Sequence, residues 1–120
     1  MDWNNLYLNY DGRCNRKPYW LGSFVLGLIQ IAVVLLIALI LGMAYDSSSF
    51  NALEGVMSLV FLYPALAVTT KRWHDRDKSG WWSLILFVPI IGAIWMLVEC
   101  GVLRGTMGPN RFGPDPLAKV

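Results

Sequence analysis

Charged side chains are scarce in this sequence and are missing from most of its apolar length. Only 15% of the 120 residues are Asp, Glu, Lys or Arg, whereas 56% are hydrophobic; a soluble domain carries roughly 25% charged residues. No Lys or Arg lies between Pro18 and Thr70. The excess of apolar side chains requires lipid around it, and the length allows one domain. A net charge of +2 is too small to indicate a nucleic-acid partner.

Cysteine and histidine are also rare, which argues against a disulfide framework and a metal site. Cys14 and Cys100 are the two cysteines, and neither has a second Cys two residues away. His74, the single histidine, has no ligand-type residue at metal-binding spacing. The sequence also lacks a nucleophile triad, a Walker loop and paired catalytic carboxylates. We therefore expect no cofactor, no metal, no catalytic residues and no enzymatic activity.

Two apolar stretches are long enough to cross a bilayer as helices. The first, residues 20–44, reaches about 36 Å, which exceeds the roughly 30 Å hydrocarbon core. It is too long for the apolar core of a signal peptide, roughly 7–15 residues, so we expect it to be retained. The second stretch, residues 52–70, contains Pro64, which is expected to kink it or to free a carbonyl. Glu54 lies near its start, where it is expected to stay at the interface.

Residues 1–12 have the spacing of a short amphipathic helix. Trp3, Leu6, Tyr7 and Tyr10 follow the i, i+3, i+4, i+7 pattern of one helical face, and an Asp-Gly pair ends the pattern. This predicts a helix that lies in the membrane interface with its apolar side down. The alternative is a frayed, tyrosine-rich tail.

Residues 81–103 form a third apolar segment, which is interrupted by Pro89 and Gly92. It is either one kinked helix that crosses the membrane or a re-entrant hairpin that returns to the side it left. With a cytoplasmic amino terminus, the charged junction at 71–80 is also cytoplasmic, as the positive-inside rule favours. The Gly/Pro-rich tail (104–120) contains the basic residues Arg104, Arg111 and Lys119. A crossing helix places them outside the cytoplasm, whereas a hairpin keeps them on the cytoplasmic side. We favour the crossing helix, because lipid-exposed irregular backbone is costly.

Aromatic residues at the ends of these segments are typical of the headgroup level. The predicted interface anchors are Trp3, Tyr7, Tyr19, Trp20, Trp73, Trp81 and Trp82. Gly22, Ser23 and Gly27 form a smooth patch on the first long helix, where another helix can approach closely. Packing within the chain is the preferred use of this patch, and a dimer face is the alternative.

The junction at 71–80 contains most of the candidate functional polar cluster. The cluster consists of Arg72, His74, Asp75, Arg76, Lys78, Glu99, Cys100, Asn110, Arg111 and Asp115. Asp75 has the i, i+3 spacing to pair with Arg72 or with Lys78. His74 points about 100° away from Asp75 on a helix, so the two are not expected to act as a base and its carboxylate. The first interpretation is a cluster at a helix end whose polar groups pair with one another, and the second is a ligand or proton site. Glu99 and Cys100 can lie near His74 only if residues 81–103 form the hairpin.

Motifs along nearly the whole chain resemble the small bacterial inner-membrane proteins of domain-of-unknown-function family 805. The motifs are Gly12-Arg13, Arg16 to Trp20, Arg72 to Asp75, Ser79 to Trp82, Pro89 with Gly92, Cys100-Gly101, Gly105-Thr106 and Gly108 to Pro116. Trp73 departs from the family pattern, which usually has Leu there, and Pro18 replaces a commonly acidic residue. The resemblance implies a multipass protein of the bacterial inner membrane and implies no activity.

We therefore predict an all-α integral membrane protein with a short interfacial helix and three apolar helical segments. Its expected role is homo-oligomerisation or association with other membrane proteins in the lipid bilayer. One alternative is a transporter, channel or small-ligand binding component that uses the break at Pro89 and Gly92. A second is the binding or sensing of anionic lipid headgroups through Arg72, Arg76, Lys78 and Arg111.

Overall fold

The computed structural model describes residues 2–117, and their regular structure is helical. Lys119 and the end of the predicted tail, like Met1, lie outside the described residues. Asn110 and Gly113 form an isolated antiparallel bridge. In chain order the elements are α1 (Trp3–Leu8), α2 (Arg16–Leu41), α3 (Ser48–Asp75), a 3₁₀-helix (Gly80–Phe87), α4 (Ile91–Met96) and a π-helical segment (Leu97–Val102).

Helix α1 packs against α2 and α3 through part of the face that its spacing predicts. The Asp2 carboxylate caps it by accepting a hydrogen bond from the Asn5 amide at 3.2 Å. Leu6 is buried, and the Tyr7 hydroxyl donates to the Gly22 carbonyl at 2.7 Å. A Cβ on Gly22 would lie 2.6 Å from Leu6 Cδ2. Gly22 therefore serves packing within the chain, as the preferred interpretation of the glycine patch expects.

Helices α2 and α3 are both long and apolar enough to cross a membrane. Gly42 ends α2 in the left-handed conformation (φ 69°), which glycine adopts without a side-chain clash. Ser47 caps α3, which runs through Pro64 to Asp75. The helix thus includes half of the predicted 71–80 junction. It continues there because other segments bury its charged end, where Lys71 is 1% exposed and Arg72 is 0% exposed.

Residues 80–102 form a hairpin. Ser79 caps the 3₁₀-helix, as predicted, by accepting from the Trp81 amide at 3.3 Å. The chain then reverses after Val88, which is extended as the residue before a proline prefers, and Ile90 takes a φ of 66°. Helix α4 packs back on the 3₁₀-helix so closely that a Cβ on Gly92 would lie 1.7 Å from the Ile85 carbonyl oxygen.

The hairpin returns Glu99 and Cys100 to the end of the molecule where α3 ends. The Arg72 guanidinium donates to the Cys100 carbonyl at 2.6 Å, and Arg76 contacts Glu99 at 2.8 Å. The preferred single helix over 81–103 is therefore corrected to a hairpin. The close contact of Gly92 with the Ile85 carbonyl joins the two arms at the reversal.

Candidate functional site

The centre of the site is a buried group of two arginines and one aspartate, Arg13, Arg72 and Asp75, which we call the arginine–aspartate cluster. One Asp75 oxygen lies 2.9 Å from Arg13 and the other lies 2.5 Å from Arg72. These three side chains are at most 2% exposed. The i, i+3 pairing of Arg72 with Asp75 is confirmed, whereas Lys78 pairs elsewhere. Buried charges are tolerated when they are paired and their remaining donors are satisfied.

Backbone carbonyls accept hydrogen bonds from most of the other guanidinium donors. Arg72 donates to the carbonyls of Cys14 at 3.2 Å and Leu103 at 2.5 Å, in addition to that of Cys100. Arg13 donates to the carbonyls of Thr106 at 2.5 Å and Gly108 at 2.7 Å. A guanidinium with its fixed fork of five donors suits this arrangement. The cluster thereby joins the loop before α2, the end of α3 and the carboxyl-terminal loop.

A second, more exposed ionic group surrounds Glu99. Its carboxylate lies 2.8 Å from Arg76 and 3.2 Å from Lys78. Arg76 also donates to the Arg104 carbonyl at 2.5 Å. This group fixes the returning arm of the hairpin to the turn after α3.

His74 faces away from Asp75 and holds the carboxyl-terminal loop instead. Its ring stacks on Phe112 with centroids 3.9 Å apart and an interplanar angle of 3°. Its Nδ1 lies 2.9 Å from the Gly12 carbonyl oxygen, and its own carbonyl accepts from Asn110 at 2.9 Å. The described residues thus hold no histidine–carboxylate pair at this position, as the helical spacing predicts.

The same loop is fixed at two further points. Arg111 donates to the Asp77 carbonyl at 3.0 Å. Asp115 accepts from the Gly108 amide at 2.9 Å and lies 3.9 Å from Arg104. Hydrogen bonds from the amides of Leu117 and Gly108 lower the pKa of the Asp115 carboxyl below its ordinary value. All ten residues of the predicted polar cluster therefore lie at one end of the molecule.

Both cysteines lie inside the molecule. Cys14 and Cys100 are free and buried, and Cys100 contributes its carbonyl to the cluster rather than its sulfur. Burial raises the pKa of the Cys14 thiol to about 11. Among residues 2–117, no three His, Cys, Asp or Glu side chains are grouped to hold a metal ion.

Two residues depart from the roles that the sequence suggests. Trp73 is fully buried (0% exposed), so it packs inside the molecule and is not an interface anchor. Arg13, which the sequence singles out only as part of the Gly12-Arg13 motif, lies in the centre of the site. The other six predicted anchors are not fully buried. Trp3, Trp20, Trp81 and Trp82 are exposed, and Tyr7 and Tyr19 are half-buried.

Relatives of known sequence cover nearly the whole chain. Inner membrane protein YhaH of Escherichia coli (strain K12) is 40% identical over 124 residues, which cover 97% of this chain and 97% of the relative. Inner membrane protein YhaI of the same strain is 38% identical over 110 residues, which cover 92% and 87%. Uncharacterized protein YiiR, also from that strain, is 26% identical over 132 residues, which cover 89% and 85%. No solved structure matches the chain.

The model of the family described as protein of unknown function (DUF805) matches residues 7–114. That range contains the arginine–aspartate cluster, the Glu99 group and the hairpin, and the expected resemblance is confirmed. The chain belongs to the DUF805 family.

Proposed function

We propose that this chain is a multipass inner membrane protein that acts, without catalysing a reaction, by assembling with a second copy of itself or with another membrane protein. The printed names of YhaH and YhaI support the inner membrane. The two long apolar helices support the multipass arrangement. The proposal of assembly rests on the groove that lies between α2 and α3.

This groove has a volume of about 750 Å³ and polar groups on its walls. Gln30 of α2 donates to the Ser58 hydroxyl of α3 at 3.2 Å. Both lie on helices long enough to span the membrane. A primary amide has two donors and an acceptor, and lipid offers no partner for those left over. A helix from a second protein can satisfy them, as polar residues do between membrane helices.

Small residues make the groove accessible to such a helix. Gly27 and Gly55 line it, and a Cβ on either would meet no atom within 4 Å. Packing within the chain therefore does not require glycine at these two positions, in contrast to Gly22. Close approach of a second helix does require small residues.

Gln30→Leu is expected to weaken self-association about three- to tenfold, in line with about 1 kcal/mol for an interhelical hydrogen bond. Gly27→Leu is expected to weaken it further by filling the groove. The measurement is the dimer dissociation constant in detergent or lipid, by energy transfer between labelled copies. Ala32→Leu is the matched control, because Ala32 is exposed on α2 outside the groove. A wild-type protein that stays monomeric, and that crosslinks to no membrane protein in native membranes, contradicts the proposal.

We also propose that the hairpin re-enters the membrane and leaves the carboxyl-terminal loop on the cytoplasmic side. The 3₁₀-helix, with eight residues, is about 16 Å long, and the returning arm of α4 and the π-helical segment is about 18 Å. Each is shorter than the roughly 30 Å hydrocarbon core. The arrangement also keeps Arg104 and Arg111 on the same side as Arg72 and Arg76, as the positive-inside rule favours.

Maleimide labelling of spheroplasts, in which the inner membrane is intact and the outer membrane has been removed, tests this topology. Met107→Cys, at an exposed site of the carboxyl-terminal loop (Met107 is 74% exposed), is expected to react only after permeabilisation. Asp46→Cys, in the turn between α2 and α3, is expected to react without it.

The unsubstituted chain is the control for this labelling. It should stay unlabelled while folded, because its thiols are buried. With a pKa of about 11, about a thousandth of Cys14 is thiolate at a pH near 8. Reaction of Met107→Cys before permeabilisation would contradict the re-entrant hairpin.

The structure gives less support to the two alternatives. Arg72 is fully buried and cannot hold a lipid headgroup, which corrects that part of the anionic-lipid hypothesis. Arg76 and Lys78 pair with Glu99. The tip of the hairpin, where a transport path would pass, presents the exposed apolar side chains of Phe87 and Ile90.

A further inference from the structure

A pocket separate from the groove lies between the loop after α1, the last turns of α3 and the 3₁₀-helix. Its volume is about 470 Å³. Polar side chains line one part of it, namely Tyr10, Asp11, Thr70, His74, Ser79 and Ser83. Leu66 and Leu84 line another part. A polar recess with an apolar wall fits an amphiphile.

One carboxylate lines the pocket. Asp11 is the only carboxylate among its lining residues, which include no Lys or Arg. Within residues 2–117, Asp11 makes no salt bridge, whereas Arg111 and Lys78 pair with Asp77 and Glu99. A cationic ligand in the pocket would therefore meet the Asp11 carboxylate, and no Lys or Arg among the lining residues would repel it.

The pocket also contains neutral groups that can accept hydrogen bonds. The Nδ1 atom of His74 lies 2.9 Å from the Gly12 carbonyl oxygen. A carbonyl only accepts, so Nδ1 carries a proton and Nε2 of the neutral ring accepts. The buried Ser83 hydroxyl has no hydrogen-bond partner among the described residues. Buried hydroxyls are normally satisfied, so this oxygen points to a missing partner.

We propose that this pocket binds a primary ammonium group, with Asp11 as its counter-ion and the Thr70 and Ser83 hydroxyls as acceptors. A primary ammonium has three N–H donors, one for each of the acceptor residues Asp11, Thr70 and Ser83. The apolar wall at Leu66 and Leu84 accommodates a chain attached to the ammonium group. Trp81, exposed at the rim, is of the type that favours the headgroup level, where amine-bearing phospholipids present this group.

The test is retention of lipid by the purified protein, measured by native mass spectrometry from equimolar phosphatidylethanolamine and phosphatidylcholine with matched acyl chains. We expect preferential retention of the ethanolamine lipid, and a stepwise decrease as its nitrogen is methylated once and twice. Asp11→Asn should reduce the preference about tenfold, since a charge-assisted hydrogen bond is lost. Ser83→Ala should reduce it less.

Asp46→Asn is the matched control, because Asp46 is also exposed and its positive φ of 59° suits Asn. It should leave the lipid preference unchanged. Competition by free ethanolamine distinguishes the two sources of the ammonium group: displacement at low millimolar concentration assigns the pocket to a soluble amine, and its absence assigns it to the lipid. Equal retention of both lipids with no ethanolamine binding, or an unchanged preference in a folded Asp11→Asn, overturns the proposal.

Discussion

Asp75→Asn is expected to destabilise the fold by about 3–5 kcal/mol, the typical cost of removing one partner from a buried ion pair. Arg13 and Arg72 would then stay buried without the carboxylate that they share. Asn has nearly the same shape, so the loss reports the missing charge rather than a cavity. The measurement is the unfolding midpoint in mixed micelles of mild detergent and dodecyl sulfate.

Asp77→Asn is the control for this substitution. Asp77 lies 3.4 Å from Arg111 in a pair whose side chains are 47% and 64% exposed. Exposed pairs contribute between 0 and about 1 kcal/mol, so the midpoint should barely change. Equal midpoints for the two variants would show that the arginine–aspartate cluster does not hold the fold together.

Gly92→Ala is the second substitution with a large expected effect, about 3 kcal/mol or more. The added methyl would lie 1.7 Å from the Ile85 oxygen and 2.7 Å from its carbonyl carbon. These are backbone atoms, which cannot rotate away, so the hairpin has to open. The result is measured by the same unfolding titration and by labelling of Met107→Cys in the Gly92→Ala background.

Gly27→Ala separates this steric effect from the general effect of adding a methyl group to a glycine. The methyl on Gly27 would meet no atom within 4 Å. Since Ala favours a helix over Gly by about 1 kcal/mol, the variant should be as stable as the unsubstituted chain or more so. A Gly92→Ala protein of undiminished stability would contradict the tight contact between the two arms.

Local patterns predicted the parts of the molecule that depend on neighbours in sequence. The length of the first apolar run predicted α2, Ser79 predicted a helix cap, and the i, i+3 spacing predicted the pairing of Arg72 with Asp75. In each case the interacting groups lie within a few residues, so spacing alone limits the geometry.

Long-range contacts determine what the sequence left open or misassigned. The third segment allowed a crossing helix and a hairpin, and the decisive contact joins Gly92 to a carbonyl seven residues earlier on the opposite arm. Arg13 gave no local sign of its role, because Asp75 is 62 residues away. Trp73 had the sequence context of an interface anchor, and only the segments packed around it remove it from the membrane surface.

The carbonyls that surround Arg13 impose an order on the formation of the protein. Thr106 and Gly108 follow that arginine by 93 and 95 residues. Synthesis runs from the amino terminus, so Arg13 and Arg72 leave the ribosome before these two residues do. The Arg13 guanidinium therefore lacks these two acceptors until the carboxyl-terminal loop arrives. Closing of the cluster is thus a late event of biogenesis, and a nascent chain that stops before Thr106 lacks the groups needed to complete it.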